Sequence, residues 1–138
     1  MKNPSDDKPV SGRFTLKKEE RLSSKKTIER LFAEGNSFLA YPFKVIYISA
    51  DFPGNYPAKA AFAVSKKLHK KAVSRNLIKR RTREAYRLHK NLLHSSGESS
   101  KKAIIFIYIG KEILSFAPIE KAMIRSLSII RKSFSPNP

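Results

Sequence analysis

Residues 66–90 read KKLHKKAVSRNLIKRRTREAYRLHK: eleven lysines and arginines against one acid, Glu84. That stretch holds +10 of a formal net charge of +18, and the other 113 residues carry a milder +8. At 3.6 residues per turn from Ala72 onward, Arg75, Asn76, Lys79, Arg80, Arg83, Arg87 and Lys90 fall on one arc of roughly 140°. Leu77, Ile78, Ala85, Leu88 and Leu92 fall on the opposite arc. The pattern predicts an amphipathic helix over residues 72–93, its apolar stripe docked on the rest of the protein. Like charges four residues apart, such as Arg75/Lys79, Lys79/Arg83 and Arg83/Arg87, each oppose such a helix by a few tenths of a kcal/mol. A polyanion that offsets this repulsion is the expected partner, and a phosphate backbone is its usual form.

The rest of the composition agrees. A chain of 138 residues, 41% hydrophobic, is long enough for one core. It lacks cysteine, so disulfides and thiolate metal sites are excluded and a reducing compartment is implied. The start, MKNPSDDKPVSGR, has no apolar stretch of the kind a secretory signal needs. The longest apolar run, residues 103–109, is too short to cross a bilayer. A cytoplasmic protein is the expectation, and a pI near 10.4 implies nucleic acid or an anionic membrane surface as its partner.

Local patterns divide the chain into a polar tail at 1–12, a single domain at 13–134 and a short tail at 135–138. Ser23 or Ser24 caps a short helix that presents Ile28, Leu31 and Phe32 on one face and ends at Gly35. FKVIYISA (43–50) and KAAFAVS (59–65) read as strands, joined through DFPGNYP and paired as an antiparallel hairpin. The basic helix and a polar loop at 94–102 come next. AIIFIYI (103–109) then reads as a strand covered on both faces. A last helix over 116–131 aligns Ile119, Met123, Leu127 and Ile130, with Pro118 in its first turn. The expected class is α+β in the order α-β-β-α-β-α: one mixed sheet with helices packed on it.

Catalytic signatures are absent. There is no nucleophile elbow, no phosphate-binding glycine loop, and no D-x-D or H-E-x-x-H metal spacing among the eleven scattered acids. Protein-borne catalytic and metal-binding residues are therefore expected to be none. The histidines, His69, His89 and His94, lie in or beside the basic stretch, where a histidine–acid dyad for RNA hydrolysis competes with a plain polar role. Phe32 with Phe43, Tyr47 and Phe62 can line a groove in which unpaired bases stack, or can be core.

Ser65-Lys66-Lys67 followed by AVSRNLIKRRTRE (72–84) resembles the signature of the bacterial ribonuclease P protein family, S-K-K at a strand end and then R-N-x-x-K-R-x-x-R-E on a helix. Arg75, Asn76, Lys79, Arg80, Arg83 and Glu84 all match. Phe14 followed by Arg21-Leu22, and ERLFAEG (29–35), are similar to the family's first helix region, and the resemblance runs from about Phe14 to Phe134. It implies a protein subunit that binds a catalytic RNA and the 5′ leader of precursor tRNA. The RNA, with Mg²⁺, hydrolyses the phosphodiester, and the protein alone holds no cofactor.

Carried onto this chain, the resemblance assigns RNA contacts to Arg21, Ser65, Lys66, Lys67, Arg75, Asn76, Lys79, Arg80, Arg83 and Arg87. It assigns a leader cleft to Ile28, Phe32, Ile46 and Lys67. It further implies a monomeric protein, no membrane partner, and a left-handed β-α-β crossover that runs against the general rule. Two positions depart from the family pattern. Arg81 stands in the apolar arc, to reach the edge or to bind RNA from the side, and Ile28 stands where an aromatic is common. The competing readings are a general RNA- or ribosome-associated module, a stand-alone nuclease using His69 or His89, and a membrane-surface helix.

Overall fold

The computed structural model describes residues 18–52, 56–93 and 101–133. The expected tails at 1–12 and 135–138, together with Phe14 and His94, lie outside the described residues. Among the described residues three α-helices and four strands follow a short 3-10 turn at Lys18–Glu20: α1 (Lys25–Glu34), β1 (Asn36–Ala40), β2 (Phe43–Ser49), β3 (Ala58–Val64), α2 (Ala72–His89), β4 (Lys102–Tyr108) and α3 (Phe116–Ser133). The class is α+β, as expected, with one strand more than the sequence pattern showed. β1 reads NSFLA, too polar and too short to register alone. It forms because it pairs antiparallel with β2 across a tight connection containing the cis Tyr41–Pro42 peptide.

The sheet order is β1-β2-β4-β3. The expected β2–β3 hairpin does not form. β4 inserts between them, antiparallel to β2 and parallel to β3. The reason lies in β4 itself, whose unbroken apolar run needs cover on both faces and a neighbour on each edge. No local pattern in β2 or β3 announces that insertion.

Alternation along the strands sends two sets of side chains to opposite faces. One face carries Phe43, Val45, Tyr47, Ala60, Ile104, Phe106 and Tyr108 into a core with Ile78, Ala85 and Tyr86 of α2 and with α3. The stripe expected on α3, namely Ile119, Met123, Leu127 and Ile130, is fully buried there. The other face carries Ile46, Ile48, Ala103 and Ile105 against Leu31 of α1 and Leu22. α1 begins at Ser24, whose hydroxyl accepts from the Thr27 amide at 3.3 Å. It ends at Gly35, where an added Cβ would stand 2.5 Å from the Leu31 carbonyl oxygen and 2.7 Å from Ile46 Cγ2. Only a residue without a side chain lets the chain turn that close to the sheet.

Candidate nucleic-acid interface

α2 is shorter than its apolar periodicity implied. After His89 the chain tightens into a 3-10 turn at Lys90–Leu93, and three residues per turn rotate side chains out of the α-helical phase. Two assignments change, that of Lys90 with this turn and that of Leu77 with the face of α2 that the sheet covers. Lys90, expected on the cationic arc, is buried. Leu77, expected in the core, is half-buried and faces outward with the cations. Thr82 and Tyr86, which the stripe omitted, take core positions instead.

Val73, Asn76, Leu77, Lys79, Arg80 and Arg83 line one concave surface of α2. Among the described residues no carboxylate pairs with Lys79, Arg80 or Arg83. Arg83 is steadied from below, its guanidinium 6.0 Å from the centre of the Phe62 ring. Three cations that share a hollow and meet no carboxylate among the described residues present a surface suited to an anion of several charges.

The approach to this helix is built from backbone contacts. Ser65 Oγ accepts from the Leu68 amide at 3.4 Å, and the Ser65 carbonyl accepts from the His69 amide. His69 is buried, and its Nε2 donates to the Gly110 carbonyl at 2.7 Å, with its ring edge-on to Tyr108. Arg75 Nη1 donates to the carbonyls of His69 and Lys70 at 2.9 and 2.8 Å. Arg75 thus ties the turn to the helix, and only its remaining donors are left for an outside acceptor. Lys66 and Lys67 stand exposed on that turn. Arg81 resolves its two options inward: Nη1 donates to the Leu114 carbonyl at 2.6 Å. The Tyr108 hydroxyl fastens the same loop through Glu112 and Leu114, and burial is the main cause that pushes its pKa up.

Further along, every cation meets a carboxylate. Arg87 grips Glu84 through two bonds of 3.0 and 2.6 Å, which hold the Glu84 carboxyl below its ordinary range. His89 Nε2 lies 2.7 Å from Glu120 on α3. Lys90 donates to both oxygens of Glu20 at 2.6 and 2.8 Å in a buried pair. Burial first, and then the Glu20 charge, push the Tyr86 hydroxyl well above its ordinary pKa. Glu20 and Glu120 are distant in sequence, so neither pairing carried a local signal.

The proposed aromatic groove does not exist. Phe43, Tyr47 and Phe62 face α2 and α3, whereas Phe32 and Ile28 belong to α1 on the other side of the sheet. Strand parity places Ile46 on the α1 face, where it is 6% exposed and forms a floor. Above it Ile28 is half-buried and Phe32 is 58% exposed. Lys67 projects from the turn beyond β3, at the sheet end marked by the Val64–Tyr108 pairing. Arg21 is exposed in a segment that runs along β3, where the Leu22 amide donates to the Ala60 carbonyl at 2.8 Å.

A family model, Ribonuclease P, matches residues 16–131. The chain belongs to the ribonuclease P protein family. The ribonuclease P protein component of Porphyromonas gingivalis is 37% identical over 117 residues, covering 83% of this chain and 85% of that one. That of Chlorobium phaeobacteroides is 34% identical, covering 86% and 90%. The solved RNase P protein of Staphylococcus aureus superposes with a TM-score of 0.62 at 26% identity, over 84% of this chain and 98% of that one. The Thermotoga maritima RNase P protein, at 23% identity and a TM-score of 0.64, shares the fold. The chain is accordingly the protein subunit of ribonuclease P, an endoribonuclease of tRNA processing. Among the described residues no helix is long and apolar enough to cross a membrane.

Proposed function

We propose that α2 lays Asn76, Lys79, Arg80 and Arg83 against phosphates of the catalytic RNA, while the cleft between α1 and the sheet receives the 5′ leader of precursor tRNA. The observation that carries this division is the hollow on α2, whose three cations have no carboxylate partner among the described residues. Guanidinium forks match phosphate oxygens in pairs, and the adjoining Lys66 and Lys67 extend the same field. Phe32 and Ile28 offer an apolar wall to unpaired nucleotides, with Ile46 as floor and Lys67 at the rim.

In this assignment the protein binds and orients, and hydrolysis stays with the RNA. Among the described residues no three His, Asp or Glu side chains gather as a metal site. In this reading Mg²⁺ is held by the RNA. A stand-alone nuclease finds little support: His69 is committed to a backbone carbonyl and His89 to Glu120 between two helices. The protein acts as a monomer in the cytoplasm in this scheme.

Reconstitution with a bacterial ribonuclease P RNA at limiting Mg²⁺ tests it. Leader removal should rise when the chain is added, and Phe32→Ala should weaken precursor binding more than mature tRNA binding. Equal loss for both, or no stimulation, would count against the cleft assignment.

A further inference from the structure

The hollow on α2 is not wholly cationic. Val73, in the first turn of the helix, is 79% exposed, and Leu77 lies beside it one turn later. Both line the same surface as Asn76, Lys79, Arg80 and Arg83. Residues four apart are neighbours on a helix, so the two side chains make one short apolar strip. A surface that held phosphates alone would gain nothing from it. A β-branched residue in water is also a poor helix former, so helix propensity does not account for Val73.

The surroundings select the occupant. The rim carries three cations with no carboxylate partner among the described residues and one amide, Asn76. A second copy of the chain would bring a further +18 against that rim. RNA joins a polyanionic backbone to flat bases whose faces shed water readily. We propose that Val73 and Leu77 seat the face of one unpaired nucleobase, while Lys79, Arg80 and Arg83 hold the phosphates on either side and Asn76 hydrogen-bonds the base edge. The inference rests on α2 being an RNA surface and adds a base-dependent contact to it.

The experiment uses the full chain and two labelled single-stranded RNA oligomers of equal length, one with bases and one with a central abasic run. Affinities are measured against salt for the parent protein, Val73→Ser and Arg80→Ala. Val73 is largely in water, so its replacement leaves the fold intact. The parent should prefer the base-bearing oligomer, and Val73→Ser should lose about fivefold on that oligomer alone, at an unchanged salt slope. Arg80→Ala should weaken both oligomers and lower the slope by about one. The base seat is overturned if Val73→Ser binds both oligomers like the parent, weakens both equally, or binds more tightly because the strip was covered by another part of the chain. Failure of the underlying RNA surface looks different: Arg80→Ala would then change neither affinity nor slope.

Discussion

Two parts of the basic stretch, residues 79–83 and residues 84–90, both carry cations and meet opposite fates. In the first, Lys79, Arg80 and Arg83 share a hollow and find no carboxylate among the described residues. In the second, Arg87, His89 and Lys90 are each taken by an acid, respectively Glu84, Glu120 and Glu20. Charge density in a sequence thus measures potential for binding, not binding itself. Among the described residues the first part keeps cations without a carboxylate, whereas in the second His89 and Lys90 tie to α3 and to the 3-10 turn at Lys18–Glu20 and Arg87 pairs within the helix.

The contrast breaks most sharply at the buried end. Lys90→Ala removes the cation that donates to both Glu20 oxygens in a buried pair and should cost about 3–5 kcal/mol of stability, read by urea unfolding. A loss under about 1 kcal/mol would mean that the pair is surface-like and that the two parts differ less than their geometry indicates. Arg81→Ala comes next. It strips a charged donor from the Leu114 carbonyl and should cost about 2 kcal/mol in the same assay. RNA affinity per folded molecule should hold.

Substitutions in the hollow should behave in the reverse manner. Arg80→Ala should leave stability within about 0.5 kcal/mol, while affinity for the catalytic RNA falls and the slope of log affinity on log salt drops by about one. An unchanged slope would remove Arg80 from the interface. The smallest effect belongs to the Glu84–Arg87 pair, which is half in water. The Arg87 hydrogen bonds depress the Glu84 pKa below 4.5. Its contribution is therefore complete above that pH and is lost as pH falls through the lower folded value. The loss should be no more than a few tenths of a kcal/mol, measured as the difference between the parent and Glu84→Gln across acid titration.

Much of this was legible in the residues. The caps of α1 at Ser24 and Gly35, the doubly covered β4 and the α3 stripe each follow from short-range pattern, because the forces that form them act within one or two turns. The R-N-x-x-K-R-x-x-R helix announced a cationic surface for the same reason. β1 was not legible, since five weakly apolar residues become a strand only beside β2. Nor was the parity that puts Ile46 under α1 and Phe43 under α3, because it depends on which face each helix covers.

Sequence alone determined that a cationic helix would be displayed on an α+β scaffold, because charge and apolar period are both properties of consecutive residues. Tertiary structure decided which cations remain available. Glu20 reaches Lys90 across seventy positions and Glu120 reaches His89 across thirty-one, and a Coulomb partner is chosen by distance in space. It also turned Leu77 outward beside Val73, since the sheet, not the helix, sets which face is buried.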